Sequence, residues 1–523
     1  MRNLFERFRR DEGGNVLMLF GLAMVPLIGI MGASVDYAIA SQKQTRLQTA
    51  LDQAGLAVAK EPQVSDEATV SRIKEMMTAQ LAAAGISADE WTLTTAQQAN
   101  NRVSVAATTT FNTKLMNLLQ IPTMTVAAST EVARTSKLEI ALVLDNTGSM
   151  ELYGNRIESL RTAAKTLVDK LYSTPNAAQM VRVALVPFVA TVNIKADTGF
   201  SMAWIDQNAE AKYHGANFNK VNGARANHLT LFGDLNVAWK GCVEARAEPY
   251  DVDDTAPNPL NPDTLFVPYF WPDEPDPKNS SGNTISYSAG SSYTNNYVAD
   301  DYTKPSGTAD AATAPARQKN TSKYKKPHGA FDTVPRDTTG PNKGCGDPIT
   351  PLTNDAQLMR TRVADMEAWD IAGTNVAQGM VWGWSVLSPT APFTEGVAYD
   401  DLGTQKAMIV LTDGENNVTL AGNHNLSHFS SYGYLAGDRF GTHDQELAID
   451  AIDTKVKALC ASIKAKNIRL YTITFQLNDA SAQKMYRECA TSSSMYFNSP
   501  TTTELEGIFK TIAEDLGNLR FSR

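Results

Sequence analysis

Cysteine is scarce in this chain: there are four among 523 residues, and none form a C-x-x-C pair. That excludes a disulfide-framework mini-protein, a zinc ribbon and a thioredoxin-like redox motif. A basic surplus is missing too. Lys plus Arg is 47 and Asp plus Glu is 56, for a formal net charge of −9, so the counter-ion displacement that drives nucleic-acid binding has no source. No G-x-S-x-G elbow, H-E-x-x-H helix or Walker A loop occurs, and no internal repeat. The chain is therefore not read as an enzyme. Apolar material is ample, at 43% of residues against 20% charged, so large cores can be buried. At about 150 residues per domain the length leaves room for three or more units.

One long uncharged run is present, the 20 residues from Val16 to Val35. At about 1.5 Å per helical residue it spans ~30 Å, a bilayer's hydrocarbon thickness. Arg2, Arg7, Arg9 and Arg10 precede it and Asp36 follows. Basic flanks stay cytoplasmic, which predicts a cytoplasmic tail over 1–14, a spanning helix over 15–36 and the remainder on the far side. The competing reading is a signal peptide cleaved near Ala38-Ile39-Ala40, but the run is longer than an h-region. Beyond Asp36, Leu47, Ala50, Leu51, Ala54 and Ala57 recur at three- and four-residue steps. That stripe suits a helix packed on its own domain, or one that forms a homo-oligomer with the same helix in a second subunit.

Helical periodicity continues over 65–84. Thr- and Val-rich strand signals follow at Arg102–Phe111 and Thr123–Val132, so 37–136 reads as a helical stalk with a small α+β unit. From 137 to 520 apolar strands alternate with helices. Strands are expected at Leu138–Leu144, Val181–Phe188, Met408–Leu411 and Ile468–Phe475, with helices over 155–172, 354–367, 375–387, 444–466, 479–489 and 501–516. This predicts an α/β domain with a doubly wound, mostly parallel sheet. It is interrupted by an insertion at about 195–350 and a smaller one at 416–442. Residues 249–351 hold 15 of the 23 prolines, and 279–297 is a Ser/Asn/Gly/Tyr tract.

The first of these strands ends in Asp145-Asn146-Thr147-Gly148-Ser149, and the third in Leu411-Thr412-Asp413-Gly414. Both end at the sheet's carboxyl edge, where open α/β sheets bind ligands. Gly373-Thr374-Asn375 opens a helix nearby. Asp145, Thr147, Ser149, Thr374 and Asp413 are all hard oxygen donors, a set that suits Mg²⁺, with Ca²⁺ or Mn²⁺ as alternatives, and not zinc.

With two apolar strands and a helix around it, this constellation resembles the von Willebrand factor A domain and its metal-ion-dependent adhesion site, Asp-x-Ser-x-Ser, then Thr, then Asp. Thr147 stands where that family usually has Ser, and it keeps the hydroxyl. The resemblance implies binding of a partner's Asp or Glu through a divalent cation, not catalysis. The N-terminal segment, with Asp11-Glu12-Gly13-Gly14-Asn15-Val16, Val35-Asp36-Tyr37 and Leu47 to Ala54, is similar to TadE/TadG-like pilus-assembly proteins of the Flp (tight adherence) system. That similarity implies a single-pass protein of the bacterial inner membrane whose C-terminal domain is periplasmic or extracellular. Its expected partners are other pilus-assembly or cell-envelope proteins; a surface adhesin acting through the insertion and metal edge is the alternative. A prepilin-like site at Gly14-Asn15 would need Glu where Leu19 stands.

Three further features bear on function. His424, His428, His443 and Asp444 could form a second metal cluster, but Gly, Asn and Ser crowd 422–433 and a solvated insertion is favoured. Phe266, Tyr269, Phe270 and Trp271 are read as the insertion's own core ahead of an adhesive surface. An exported chain can form disulfides, and Cys242–Cys345 with Cys460–Cys489 is the favoured pairing.

Overall fold

The computed structural model describes residues 14–60, 65–99, 102–133, 137–152, 154, 156–173, 177–276, 295–300, 302, 305, 307–308, 310–326, 339–369, 373–401, 403–421 and 424–520. The basic tail over 1–13 and most of the Ser/Asn/Gly/Tyr tract lie outside them. The chain divides into two compact units, residues 1–136 with 518–523, and residues 137–517.

In the first unit the apolar run and the amphipathic stripe form one helix, α1 (Gly14–Lys60). Leu19, Phe20, Leu22, Ile30 and Met31 are each more than half exposed, so this stretch has no protein core around it. It is long and apolar enough to cross a membrane. Further along, Leu47, Ala50, Leu51, Ala54 and Val58 are buried with Ile73, Met77 and Leu81 of α2 (Asp66–Ala83). Both helices cover an antiparallel sheet of β1 (Trp91–Ala99), β2 (Arg102–Asn112) and β3 (Thr123–Ala133). In β2 alternate residues Val103, Val105 and Ala107 face that core, the period-two pattern of a half-buried strand. The stripe on α1 is filled within its own domain, so a homo-oligomer through this helix would need other residues.

The second unit is built on a six-stranded sheet: β4 (Lys137–Asp145), β5 (Val181–Phe188), β6 (Thr350–Thr353), β7 (Thr404–Thr412), β8 (Ile468–Phe475) and β9 (Tyr496–Ser499). Their spatial order is β9-β8-β7-β4-β5-β6, parallel throughout except for β6 against β5. Counted from β4, this is the doubly wound order 3-2-1-4-5-6. β4 is buried at every residue after Lys137, as a strand covered on both faces must be. β6 and β9 carry no strand signal in the sequence. Each has four residues, lies at an edge and lacks a strong apolar run, and β6 contains Pro351, which only edge strands tolerate.

The helices of ten or more residues here are α3 (Arg156–Leu171), α4 (Ala356–Asp365), α5 (Val376–Leu387), α6 (Gln445–Ala465), α7 (Ala480–Cys489) and α8 (Thr502–Arg520). All twelve residues of α5 are buried. Gly379 and Gly383, one turn apart, let it approach the sheet closely: a Cβ on Gly379 would sit 2.6 Å from the Phe188 ring, and one on Gly383 would clash with Val143. The described parts of the large insertion are packed, not loose. Phe266, Tyr269, Phe270 and Trp271 are at most 4% exposed, and Phe266 meets Trp382 of α5 with ring centroids 4.6 Å apart. Cys242 is bonded to Cys345 across the insertion, and Cys460 to Cys489 between α6 and α7.

Candidate metal centre

Asp145 ends β4 and Asp413 follows β7, and these strands are neighbours. The chain winds outward in opposite directions from this pair, so the two carboxylates stand at the topological switch point, where the loops part and leave a crevice. Asp145 is fully buried and Asp413 is 5% exposed. One oxygen of Asp145 accepts the Thr147 N–H at 2.9 Å and the Thr147 hydroxyl at 2.6 Å; the other accepts the Thr412 hydroxyl at 2.8 Å. The Thr147 and Ser149 hydroxyls lie 2.9 Å apart, and Ser149 donates to Asp413 at 2.7 Å. A continuous string of oxygens thus runs from one carboxylate to the other.

Thr374 lies beside the turn after Asp413. Its carbonyl accepts the Asn417 N–H at 2.9 Å, and a Cβ added to Gly414 would sit 3.9 Å from its hydroxyl. Gly373 before it has φ +82°, and a Cβ there would strike the Asn417 carbonyl, so this turn requires glycine. Asn375 then caps α5, its side chain accepting the Gln378 N–H. All five oxygen-bearing residues singled out in the sequence therefore gather at one edge.

Three neighbours lie outside the five candidate donors. Arg156, the first residue of α3, donates to the second oxygen of Asp413 at 2.5 Å and to Gln476 at 2.7 Å. Thr412 braces Asp145. Asn146 is fully buried; its side chain donates to the Glu367 carbonyl at 2.8 Å and its carbonyl accepts the Trp369 N–H at 2.7 Å. These contacts fix the backbone between Asp145 and Thr147.

Burial, and then the charge of Asp413, push the Asp145 carboxyl up to about 7 against the hydrogen bonds of Thr147 and Thr412. Two buried carboxylates facing each other are stabilised by a cation placed between them. The rim has the same sign: burial and then Asp479 and Asp453 raise the Glu415 carboxyl. Two carboxylates with three hydroxyls and no thiolate or imidazole fit a hard dication.

Among the described residues, His424, His428 and His443 do not form a rival centre. His443 lies 3.8 Å from Asp438 on the exposed surface. His428 is half-buried against Trp271, its imidazole pushed down to about 4 by burial and then by Lys343. Among the described residues no group of three or more His, Cys, Asp or Glu is arranged to hold a metal.

No curated protein matches the sequence. Among solved structures, pilus adhesin SpaC from Lactobacillus rhamnosus GG aligns at 11% identity and TM-score 0.31, covering 82% of this chain and 34% of that one. The chain thus spans about a third of SpaC's length. The vWF domain of the type V pili tip protein Mfa5 from Porphyromonas gingivalis aligns at 11% identity and TM-score 0.31, covering 74% and 96%. Proximal thread matrix protein 1 from the mussel byssus, with a zinc-occupied MIDAS motif, aligns at 9% and 0.29, covering 73% and 46%. At such scores the fold description rests on the strand order alone. The family model Tad, Flp pilus-assembly TadE/G-like, matches residues 14–61. The segment containing the apolar run and the buried stripe of α1 is therefore TadE/G-like in sequence.

Proposed function

We propose that this chain is a membrane-anchored component of Flp-type pilus assembly and adherence. Residues 137–520 form a von Willebrand A-like domain that binds partner proteins through a divalent cation, Mg²⁺ in the first place. The observation that carries the reading is the hydrogen-bonded string Asp145–Thr147–Ser149–Asp413 at the switch point of the sheet. Asp145, Thr147, Ser149, Thr374 and Asp413 would hold the ion. Bound there, the ion would supply the positive charge that draws in an Asp or Glu carboxylate of a pilus-assembly or cell-envelope partner.

The chain's own residues do the positioning. β4 and β7 bring the two carboxylates together, Asn146 locks the loop between them, and Arg156 neutralises the oxygen of Asp413 that Ser149 does not reach. This is a binding centre, not a catalytic one. The TadE/G-like segment supports placement in a bacterial inner membrane, with residues 1–14 cytoplasmic and the α/β domain periplasmic or extracellular.

Thermal unfolding of the full chain in detergent, with Mg²⁺ and with chelator, tests the site. Mg²⁺ should raise the Tm of the wild type, and Asp145→Ala should abolish the shift. A variant lacking both His424 and His428 should retain it. A shift that survives in Asp145→Ala would refute the assignment.

A further inference from the structure

The first unit carries a loop whose position follows from the anchor. Residues 113–122 join β2 to β3 and read Thr-Lys-Leu-Met-Asn-Leu-Leu-Gln-Ile-Pro, half of them apolar. The neck is closed by Thr113, whose N–H donates to the Pro122 carbonyl at 3.0 Å and whose hydroxyl donates to the Ile121 carbonyl at 2.5 Å. The tip is a 3₁₀ turn, Met116–Leu119. Its N-terminal donors are satisfied by Asp36, the residue that ends the apolar run. The Asp36 carboxylate accepts the N–H of Lys114 at 2.8 Å, of Leu115 at 2.8 Å and of Met116 at 2.6 Å, and is itself fully buried. The Gln120 and Ile121 N–H groups donate within the loop, to Asn117 and Met116. These backbone donors are therefore paired internally, as a segment leaving water requires.

Leu115 lies against α1 at Gly32, where an added Cβ would come within 2.8 Å of the Leu115 Cβ. Gly32 is three residues inside the apolar run, about 4.5 Å below its end at about 1.5 Å per residue. That is just short of the roughly 5–10 Å to which interfacial elements bury their apolar side chains. Yet Leu115 and Ile121 remain 37% and 41% exposed, as does Lys114, and Tyr37 beside the clamp is 70% exposed. Exposed apolar tips, a lysine able to reach phosphates and a tyrosine at headgroup level together suit a lipid surface.

We propose that loop 113–122 inserts Leu115 and Ile121 into the bilayer leaflet at the C-terminal end of the anchor, as a wedge clamped to α1 by Asp36. This rests on α1 spanning the membrane. The test uses the full chain in phosphatidylcholine–phosphatidylglycerol vesicles, with single spin-labelled cysteines at Leu115, Ile121, Leu22 in the anchor and Gln53 far along α1. Collision with oxygen and with a neutral nickel chelate is measured for each. Labels at Leu115 and Ile121 should show an oxygen-to-nickel ratio several-fold above that at Gln53, and Asp36→Ala should lower it without changing Leu22. Ratios equal to that at Gln53 would overturn the proposal, as would shielding from both reagents, which marks a protein contact. The Leu22 label separates the two readings: lipid-immersed, it leaves the anchor standing when the wedge fails; water-exposed, it removes both.

Discussion

Arg156 and Ser149 divide the two oxygens of Asp413 between them, so one edge of the proposed metal site already carries a positive charge from the protein. Arg156→Gln leaves Asp413 without its ion pair. The Mg²⁺-induced rise in Tm should then exceed that of the wild type, measured in the same buffer. Elsewhere, Asp206 is buried in the large insertion, and burial works against its charge. The hydrogen bond with His214 at 2.8 Å and the N–H groups of Ala211 and Glu210 outweigh that cost and hold its carboxyl at about 2. A carboxyl depressed on folding stabilises the native state above its unfolded pKa and loses that contribution as pH falls through the folded one. Asp206→Asn should therefore cost roughly 2 kcal/mol at pH 7. Urea titrations should show the gap between the two proteins closing between about pH 4 and pH 2.

Among the elements, α5 is tightly placed, with Gly379 and Gly383 against β4 and β5. Gly383→Ala gains helix propensity but forces a methyl onto Val143, and overpacking of a core costs roughly 1–3 kcal/mol. A net loss of stability in chemical denaturation is expected; a gain would mean that the sheet gives way. The bridge Cys242–Cys345 joins residues 103 apart. In the chain-entropy model closing a loop of that size is worth up to roughly 4.7 kcal/mol. Peptide mapping without reductant should recover both disulfides, and replacing Cys242 and Cys345 together by Ser should lower Tm more than replacing Cys460 and Cys489.

The whole molecule consists of two units with separate cores, one on the helix that carries the apolar run and one around the six-stranded sheet. A chain beginning at Lys137 should thus unfold cooperatively and keep the Mg²⁺ response of the full protein. Loss of the response with the fold intact, by circular dichroism, would show that the first unit contributes to the site. The direction of crossing is tested separately. A periplasmic reporter fused after Arg523 should be active and one fused before Met1 silent; the reverse would overturn the argument from the basic tail.

Local features were legible in the amino-acid sequence because each is complete within a few turns or strands. The uncharged run Val16–Val35 needs no partner to be recognised, and a fully buried strand such as Leu138–Leu144 announces itself by lacking polar residues. The oxygens of Asp145 to Ser149 are likewise visible as a spaced motif. What the tertiary structure decided depends on residues far apart in the chain. Arg156 meets Asp413 across 257 positions and Asn146 meets Glu367 across 221, and no periodicity encodes either contact. The stripe on α1 suited a domain core and a subunit seam equally well, since both demand the same apolar spacing; only the sheet β1–β3 folding beneath it made it a core. Asp36 looked like the end of a hydrophobic run, and became a three-fold acceptor because the β2–β3 turn brings its N–H groups there. Composition and period report how much surface an element must bury, while the identity of the surface that covers it is set by the path of the whole chain.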